Sequence, residues 1–307
     1  MMLSRVANNI YWAARYIERA ENTARLINVN SLLLLDLPKR VRLGWEPIID
    51  ILGNHELFYQ RHDAADERQV VRFMVSEQAN PGSIISTLRQ ARENARTIRD
   101  IIPREAWEQI NHNYLQAREL AGSSLGRRKR DDFLRQIILG AQTVTGMLAG
   151  TMTHDEGYDF LRMGRNLERA DMTTRIVDVR SASLLPEMSE DLSPFENIQW
   201  VSVLKSLTAY QMYRREMRIR VRRPDVLRFL LQERRFPRAF YHTICEVENC
   251  LQHLPHNDKP LKTLTGLQKK VLSAKPEKLH QEELHGFVDT LQVGLAKLHQ
   301  EISASYF

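Results

Sequence analysis

Arg15-Tyr16-Ile17-Glu18-Arg19-Ala20-Glu21-Asn22-Thr23-Ala24-Arg25 and Arg165-Asn166-Leu167-Glu168-Arg169-Ala170-Asp171-Met172-Thr173-Thr174-Arg175 are two versions of one pattern. Laid on each other without a gap, Arg15 meets Arg165, Glu18 meets Glu168, Arg19 meets Arg169 and Arg25 meets Arg175. Glu21 falls on Asp171 and Thr23 on Thr173, while Ile17 and Leu26 fall on Leu167 and Ile176. Self-similarity of this kind marks an internal repeat, and a repeat constrains the fold before any single element does.

A second block follows in the same order. Val70-Val71-Arg72-Phe73-Met74-Val75 aligns with Val226-Leu227-Arg228-Phe229-Leu230-Leu231, then Glu77 with Glu233 and Pro81 with Pro237. The offset has grown by six residues, as loop insertions produce. Between the blocks Trp45 pairs with Trp200 and Leu52 with Leu207. The economical explanation is a tandem duplication, with one half at 1–150 and the other at 151–307.

The spacing within each half is helical. Val6, Ile10, Ala13, Ile17, Ala20, Ala24 and Ile27 step by four and three, which draws a single apolar stripe. Ile84, Leu88, Ala91, Ala95, Ile98 and Ile102 repeat the pattern, as do Leu284, Val288, Leu291, Leu295, Leu298 and Ile302. No stretch alternates apolar and polar as a half-buried strand does. Thirteen glycines and eleven prolines in 307 residues are too few for a turn-rich β fold. The expected architecture is all-α, a helical bundle of two duplicated, pseudo-symmetric halves. Ser4 is placed to cap the first helix, and Thr153-x-x-Glu156 has the spacing of a capping box. Pro103 and Pro194 stand where a proline opens a helix, whereas Pro38, Pro186 and Pro224 interrupt helical runs. Leu254 to Lys278, with Pro255, Pro260 and Pro276, reads as a connector with a short helix inside.

Hydrophobic residues make up 43% and charged residues 27%, enough apolar material to exclude a disordered chain. The net charge of +6 suits an anionic partner, or serves solubility alone. Two cysteines, Cys245 and Cys250, give no disulfide framework. Met1 to Asn9 holds no apolar signal core, and the longest aliphatic run, Leu32 to Leu35, is far short of a membrane span. The expectation is a cytoplasmic protein with no membrane span.

With about 100° per residue, Arg15, Glu18, Asn22 and Arg25 cluster opposite the apolar stripe, and Arg165, Glu168 and Arg175 do the same. Glu21→Arg25 and Asp171→Arg175 are i,i+4 pairs in the favourable orientation. Three readings stand side by side. The charges staple helices, either within one helix or with arginines of one half forking onto glutamates of the other. Alternatively, Arg15, Glu18, Arg19, Asn22, Arg25, Arg165, Glu168, Arg169, Asp171 and Arg175 form a face that binds an anion or a partner. Finally, Glu18 and Glu168 brought together act as an acid–base pair.

Other signals are weaker. Cys245, Cys250, His253 and His256 lack the tight spacing of a zinc site, so no metal is expected. Arg127-Arg128-Lys129-Arg130 and the run Arg214-Arg215, Arg218, Arg220, Arg222-Arg223, preceded by Tyr210 and Tyr213, are the features that suit single-stranded nucleic acid. Gly140, Gly146 and Gly150 lie in a helical stretch and read as close helix packing. No phosphate loop, dinucleotide fingerprint or nucleophile elbow occurs, so no cofactor is expected and the chain does not look able to activate carboxylates itself.

Leu3-Ser4-Arg5-Val6-Ala7, Tyr11-Trp12 and Arg15 to Arg25 resemble the opening of the bacterial alpha-E family, named for a helical domain with a Glu-Arg motif. Asn80-Pro81-Gly82-Ser83, Ala91-Arg92-Glu93-Asn94-Ala95-Arg96, Gly164 to Arg169 and Phe236-Pro237-Arg238 carry the resemblance along the chain, more weakly from Leu254 onward. At Ala14 the family pattern has glycine, a departure that touches packing. The resemblance implies a setting. Members are typically encoded beside a circularly permuted ATP-grasp protein, a transglutaminase-like protease and sometimes a proteasome-like peptidase, and serve peptide synthesis or modification by amide-bond formation. It implies an auxiliary subunit that holds a peptide substrate or completes the ligase site. The alternatives are an independent enzyme using the Glu/Arg face and a nucleic-acid-binding module.

Overall fold

The structure, a computed structural model, describes residues 2–37, 44–123, 126–182, 193–217 and 220–307. Among the described residues the chain forms fourteen α-helices, two short 3-10 turns and no strand. They are α1 (Ser4–Asp36), α2 (Glu46–Leu52), α3 (His55–Tyr59), α4 (Glu67–Val75), α5 (Ile84–Thr97), α6 (Arg104–Leu120), α7 (Arg127–Thr151) and α8 (Glu156–Ala182). Then come α9 (Ser193–Ser206), α10 (Tyr210–Met217), α11 (Arg223–Gln232), α12 (Phe240–Gln252), α13 (Asp258–Ser273) and α14 (Gln281–Tyr306). No helix among the described residues is long and apolar enough to cross a membrane.

The chain divides into two compact units. Unit 1 takes Met1–Asn28, Gly44–Glu168 and Tyr306–Phe307; unit 2 takes Val29–Leu43 and Arg169–Ser305. This division differs from the sequence halves 1–150 and 151–307, because α1 and α8 each contribute to both units.

In unit 1 the apolar stripes become core. Ile84, Leu88, Ala91, Ala95, Ile98 and Ile102 are all buried. Each helix start has a local cause. Asp66 Oδ1 accepts from the Gln69 N–H at 2.9 Å to cap α4, and Ser83 Oγ accepts from the Ser86 N–H at 3.2 Å to cap α5. The Asn80-Pro81-Gly82-Ser83 stretch is the turn that feeds α5: Asn80 Oδ1 accepts from Gly82 N–H at 2.8 Å and its Nδ2 donates to the Phe73 carbonyl at 3.1 Å. Gly140 allows α7 to lie against α6, since a Cβ there would sit 2.5 Å from Asn113 Oδ1. Gly146 and Gly150 meet nothing within 4 Å, so close packing does not explain them. α1 itself carries more than a stripe. Beside Ile10, Ala13, Ile17, Ala20, Ala24 and Ile27, the opposite-face residues Tyr11, Glu18 and Asn22 are also buried. A helix covered on every side is a central helix, and this places the motif charges inside protein.

Unit 2 is built the same way. Leu284, Val288, Leu291, Leu295, Leu298 and Ile302 of α14 are buried with Trp200, Phe229, Leu230 and Phe240. Thr173 Oγ1 of α8 donates to the Arg238 carbonyl at 2.8 Å, which anchors the Phe236-Pro237-Arg238 turn before α12. Gln232 Nε2 donates to the Val271 and Ala274 carbonyls at 2.7 and 3.0 Å, capping the end of α13. The order of elements recurs along the chain: helices of 33, 7, 5, 9, 14, 17 and 25 residues are followed by helices of 27, 14, 8, 10, 13, 16 and 26. Phe58 meets Phe73 edge-on at 5.1 Å in unit 1, and Tyr213 meets Phe229 edge-on at 5.6 Å in unit 2.

Three local expectations are corrected. The Thr153/Glu156 capping box does not form, because α8 begins at Glu156 and Asp155 takes the cap, its Oδ1 accepting from Gly157 N–H at 2.9 Å and Tyr158 N–H at 3.3 Å. Ser4 is the first helical residue of α1, and the preceding Leu3 carbonyl accepts from the Val6 and Ala7 amides. Leu254 to Lys278 is not mainly connector: α13 occupies sixteen of its residues, with Pro260 accommodated in the first turn. Pro103 precedes α6, Pro194 lies in the first turn of α9, and Pro224 lies in the first turn of α11. Pro38, Pro186 and Arg218 lie outside the described residues.

Candidate functional site

The centre of unit 1 is a crossing of α1 and α8 set by a glycine. A Cβ on Gly164 would come closer than 3.0 Å to the Tyr11 carbonyl oxygen, so only glycine lets α8 approach the α1 backbone there. One turn further along each helix, Arg15 and Glu168 are brought face to face, and Arg19 follows one turn after Arg15. Arg15 Nε donates to Glu168 Oε2 at 2.8 Å. Arg19 Nε donates to Oε1 at 2.6 Å and its Nη2 to Oε2 at 2.9 Å, a two-pronged grip.

This carboxylate is enclosed. Its side chain is 1% exposed, against 11% for Arg15 and 26% for Arg19. Burial alone raises the pKa of Glu168, but the charges and hydrogen bonds of Arg19 and Arg15 outweigh burial and hold it at about 2. Arg15 is itself sandwiched, with its guanidinium 4.9 Å from the Trp12 ring centre and 5.8 Å from that of Tyr11. Burial pushes the Tyr11 phenol above its ordinary range, while its oxygen accepts a long 3.4 Å bond from Arg15 Nη1. A carboxylate with both oxygens taken and a pKa near 2 is a fixed anion at neutral pH. A general acid or base needs a pKa near the working pH.

The other expected site residues fall into separate places. Glu18 is buried and shares a small recess with Arg165, lined also by Ala14, Ile17, Val144 and Leu161. The recess holds about 10 Å³, room for about one water molecule. Arg165 is half-buried, and its Nε has no acceptor among the described residues. Glu21 accepts from Arg25 Nη2 at 2.6 Å and, more loosely, from Gln142 Nε2 at 3.4 Å. That i,i+4 pair is enclosed rather than exposed, with side chains 3% and 13% accessible. Asn22 is buried beside it on α1. In unit 2, Asp171 Oδ2 accepts from Arg175 Nε at 2.9 Å in a more open pair, and Arg169 is half-buried. The ten expected residues therefore form no continuous open face within either unit.

The basic runs are divided among local partners. Arg130 is 1% exposed, donates to Glu67 Oε1 at 2.6 Å and lies over Trp45, while Arg127 reaches the same carboxylate. Arg222 pairs with Asp225, Arg223 donates to the Leu279 carbonyl, and Tyr213 is fully buried, which removes it as a stacking surface. Cys250 is buried, and Cys245 Sγ accepts from Gln268 Nε2 at 3.7 Å. Among the described residues no three His, Cys, Asp or Glu converge for a metal. Sequence reading missed the pair of buried Arg130 with half-buried Glu67 and the buried pair Asn30–Arg180. The first carried no periodic signal, being sixty-three residues apart. For the second a signal existed: Asn30 falls on Arg180 in the same register that lays Arg15 on Arg165.

Comparison with known proteins agrees with the helical architecture. An uncharacterized protein of Mycobacterium bovis and one from each of two Mycobacterium tuberculosis strains are 20% identical over 320 residues, covering 97% of this chain and 35% of their own length. The chain thus spans about a third of the curated relatives it matches. No solved structure matches it. The family model that matches, over residues 2–307, is Alpha-E, described as a predicted alpha-helical domain with a conserved ER motif. Glu18-Arg19 and Glu168-Arg169 are among the Glu-Arg pairs of this sequence, and the chain belongs to the Alpha-E family.

Proposed function

We propose that this chain is a non-catalytic helical subunit of an ATP-grasp amidoligase system for peptide synthesis or modification, in which it holds the peptide or completes the ligase site. The observation that carries the non-catalytic part is the state of Glu168. Its oxygens are taken by Arg15 and Arg19, and its pKa lies near 2. The motif is occupied in tying α1 to α8, and its second-segment carboxylate is unsuited to proton transfer at neutral pH. The ATP-grasp setting rests on the family resemblance. The greater length of the mycobacterial relatives fits it, since in them this region is accompanied by further chain. We also read the chain as a tandem duplication; the recurrent order of seven helices and the matched Phe58–Phe73 and Tyr213–Phe229 pairs support this.

One observation favours a second reading in part. Arg165 and Glu18 border a recess, and Arg165 Nε lacks an acceptor among the described residues. If the motif region touches an anionic group, Arg165 is the residue that does so. The experiment is binding of the cognate ATP-grasp protein to wild type, Glu168→Gln and Arg165→Lys, scaled to folded protein, beside thermal melts. The expected result is a lower melting temperature for Glu168→Gln with unchanged affinity per folded molecule. Full thermal stability with lost binding would overturn the structural reading of Glu168. Lost binding in Arg165→Lys alone would assign contact to the recess.

A further inference from the structure

Asn30 and Arg180 lie in unit 2, in α1 beyond Asn28 and in the last turn of α8. They meet through one hydrogen bond, Arg180 Nη2 donating to Asn30 Oδ1 at 2.8 Å. Arg180 is 4% exposed and Asn30 fully buried. Arg180 Nε, Arg180 Nη1 and Asn30 Nδ2 have no acceptor among the described residues, and no carboxylate there pairs with Arg180. All three orphaned atoms are donors, so the cluster is short of acceptors and of negative charge, not merely of contacts. Buried guanidinium groups ordinarily take a carboxylate, as Arg130 does with Glu67. The carbonyl end of α8 supplies about half a negative charge at most, spread over its last turn. Burial lowers the arginine's pKa to about 10, which leaves it charged at neutral pH.

We propose that Arg180 and Asn30 form a binding site for a small oxyanion, a carboxylate or phosphate group. The second hydrogen of Arg180 Nη2, together with the neighbouring free donor Nε or Nη1, receives two of its oxygens, and Asn30 Nδ2 donates to one of them. The fork of a guanidinium matches the spacing of oxygens in both groups, which a lysine does not. Enclosure limits the occupant to a free ion or the terminal group of a chain. The register that lays Asn30 on Arg180 adds a physical reason for the asymmetry: two arginines at this meeting point would repel, whereas arginine with asparagine gives one charge and a further donor. This site does not depend on the ATP-grasp reading, and its test involves no partner protein.

The test is thermal melting of the purified chain at constant ionic strength. Chloride is replaced stepwise by inorganic phosphate or by acetate, for wild type, Arg180→Gln and Asn30→Ala. A ligand bound only by the folded state raises the melting temperature in a saturable way. The expected result is saturable stabilisation of wild type, loss of the saturable part in Arg180→Gln, and about tenfold weaker affinity in Asn30→Ala. Whether phosphate or acetate acts at lower concentration assigns the group. An identical response in wild type and Arg180→Gln, or none that saturates, overturns the site. If Arg180→Gln does not fold, crystals of wild type soaked in bromide decide. Anomalous density beside Arg180 Nη1 is expected, and an ordered Arg180 without it contradicts the proposal.

Discussion

Replacing Glu168 by glutamine is the sharpest perturbation of the motif. The substitution keeps the shape and removes the charge. It also turns an –NH₂ group toward the donors of Arg15 or Arg19, which now hold oxygens at 2.6–2.9 Å. Two routes give the magnitude. The carboxyl moves from an ordinary value of 4.5 to about 2, and at 1.36 kcal/mol per pH unit this corresponds to about 3 kcal/mol. Breaking a buried ion pair by removing one partner costs about 3–5 kcal/mol. Because Arg19 is 26% exposed, solvent screens part of this, and the lower figure is the better guide. The sign follows from the depressed pKa. The contribution is complete above the unfolded value of 4.5 and is lost as pH falls through the folded value of about 2. Urea unfolding of both proteins from pH 7 down to pH 2 checks this. Glu168→Gln should be about 3 kcal/mol less stable at pH 7, with the gap closing between about pH 5 and pH 2. A gap under about 1 kcal/mol at pH 7, or one that ignores pH, would show that Arg15 and Arg19 do not hold Glu168 as a stabilising anion.

Further outcomes follow from the same geometry. Gly164→Ala forces a methyl into the Tyr11 backbone and should cost about 1–3 kcal/mol or more, whereas Gly146→Ala, with nothing within 4 Å, should gain about 0.5–1 kcal/mol; thermal melts of the pair test it. Arg19→Lys keeps one of two bonds to Glu168 and should lose about 1.5–3 kcal/mol, while Arg165→Lys should melt within about 0.5 kcal/mol of wild type. Comparable losses for both substitutions would contradict the assignment of distinct roles.

The helices were legible because their stripes are periodic. Every apolar position read from Ile84 to Ile102 and from Leu284 to Ile302 is buried. The motif was legible in its residue types, and the sequence left open whether arginines of one segment reach a glutamate of the other, as Arg15 and Arg19 do with Glu168. Its burial was not legible. A stripe shows which face of α1 is apolar, but only the fold shows that the opposite face, with Glu18 and Asn22, is covered as well. The long-range pair Glu67–Arg130 was hidden for a related reason: its contact arises from packing between distant segments, and no local spacing encodes it, whereas Asn30–Arg180 was marked only by the register of the repeat. The basic run at Arg127 to Arg130 illustrates the cost, since charge counted along the chain looks like a surface until Arg130 is found at 1% exposure.

In the proposed role the chain assists a ligase and performs no chemistry itself. The most direct test of that role is reconstitution: ATP consumption and peptide mass measured for the cognate ATP-grasp protein with this chain, without it, and for this chain alone. The expected result is modification that requires the ATP-grasp protein and is increased by this chain. Peptide modification by this chain alone would contradict it.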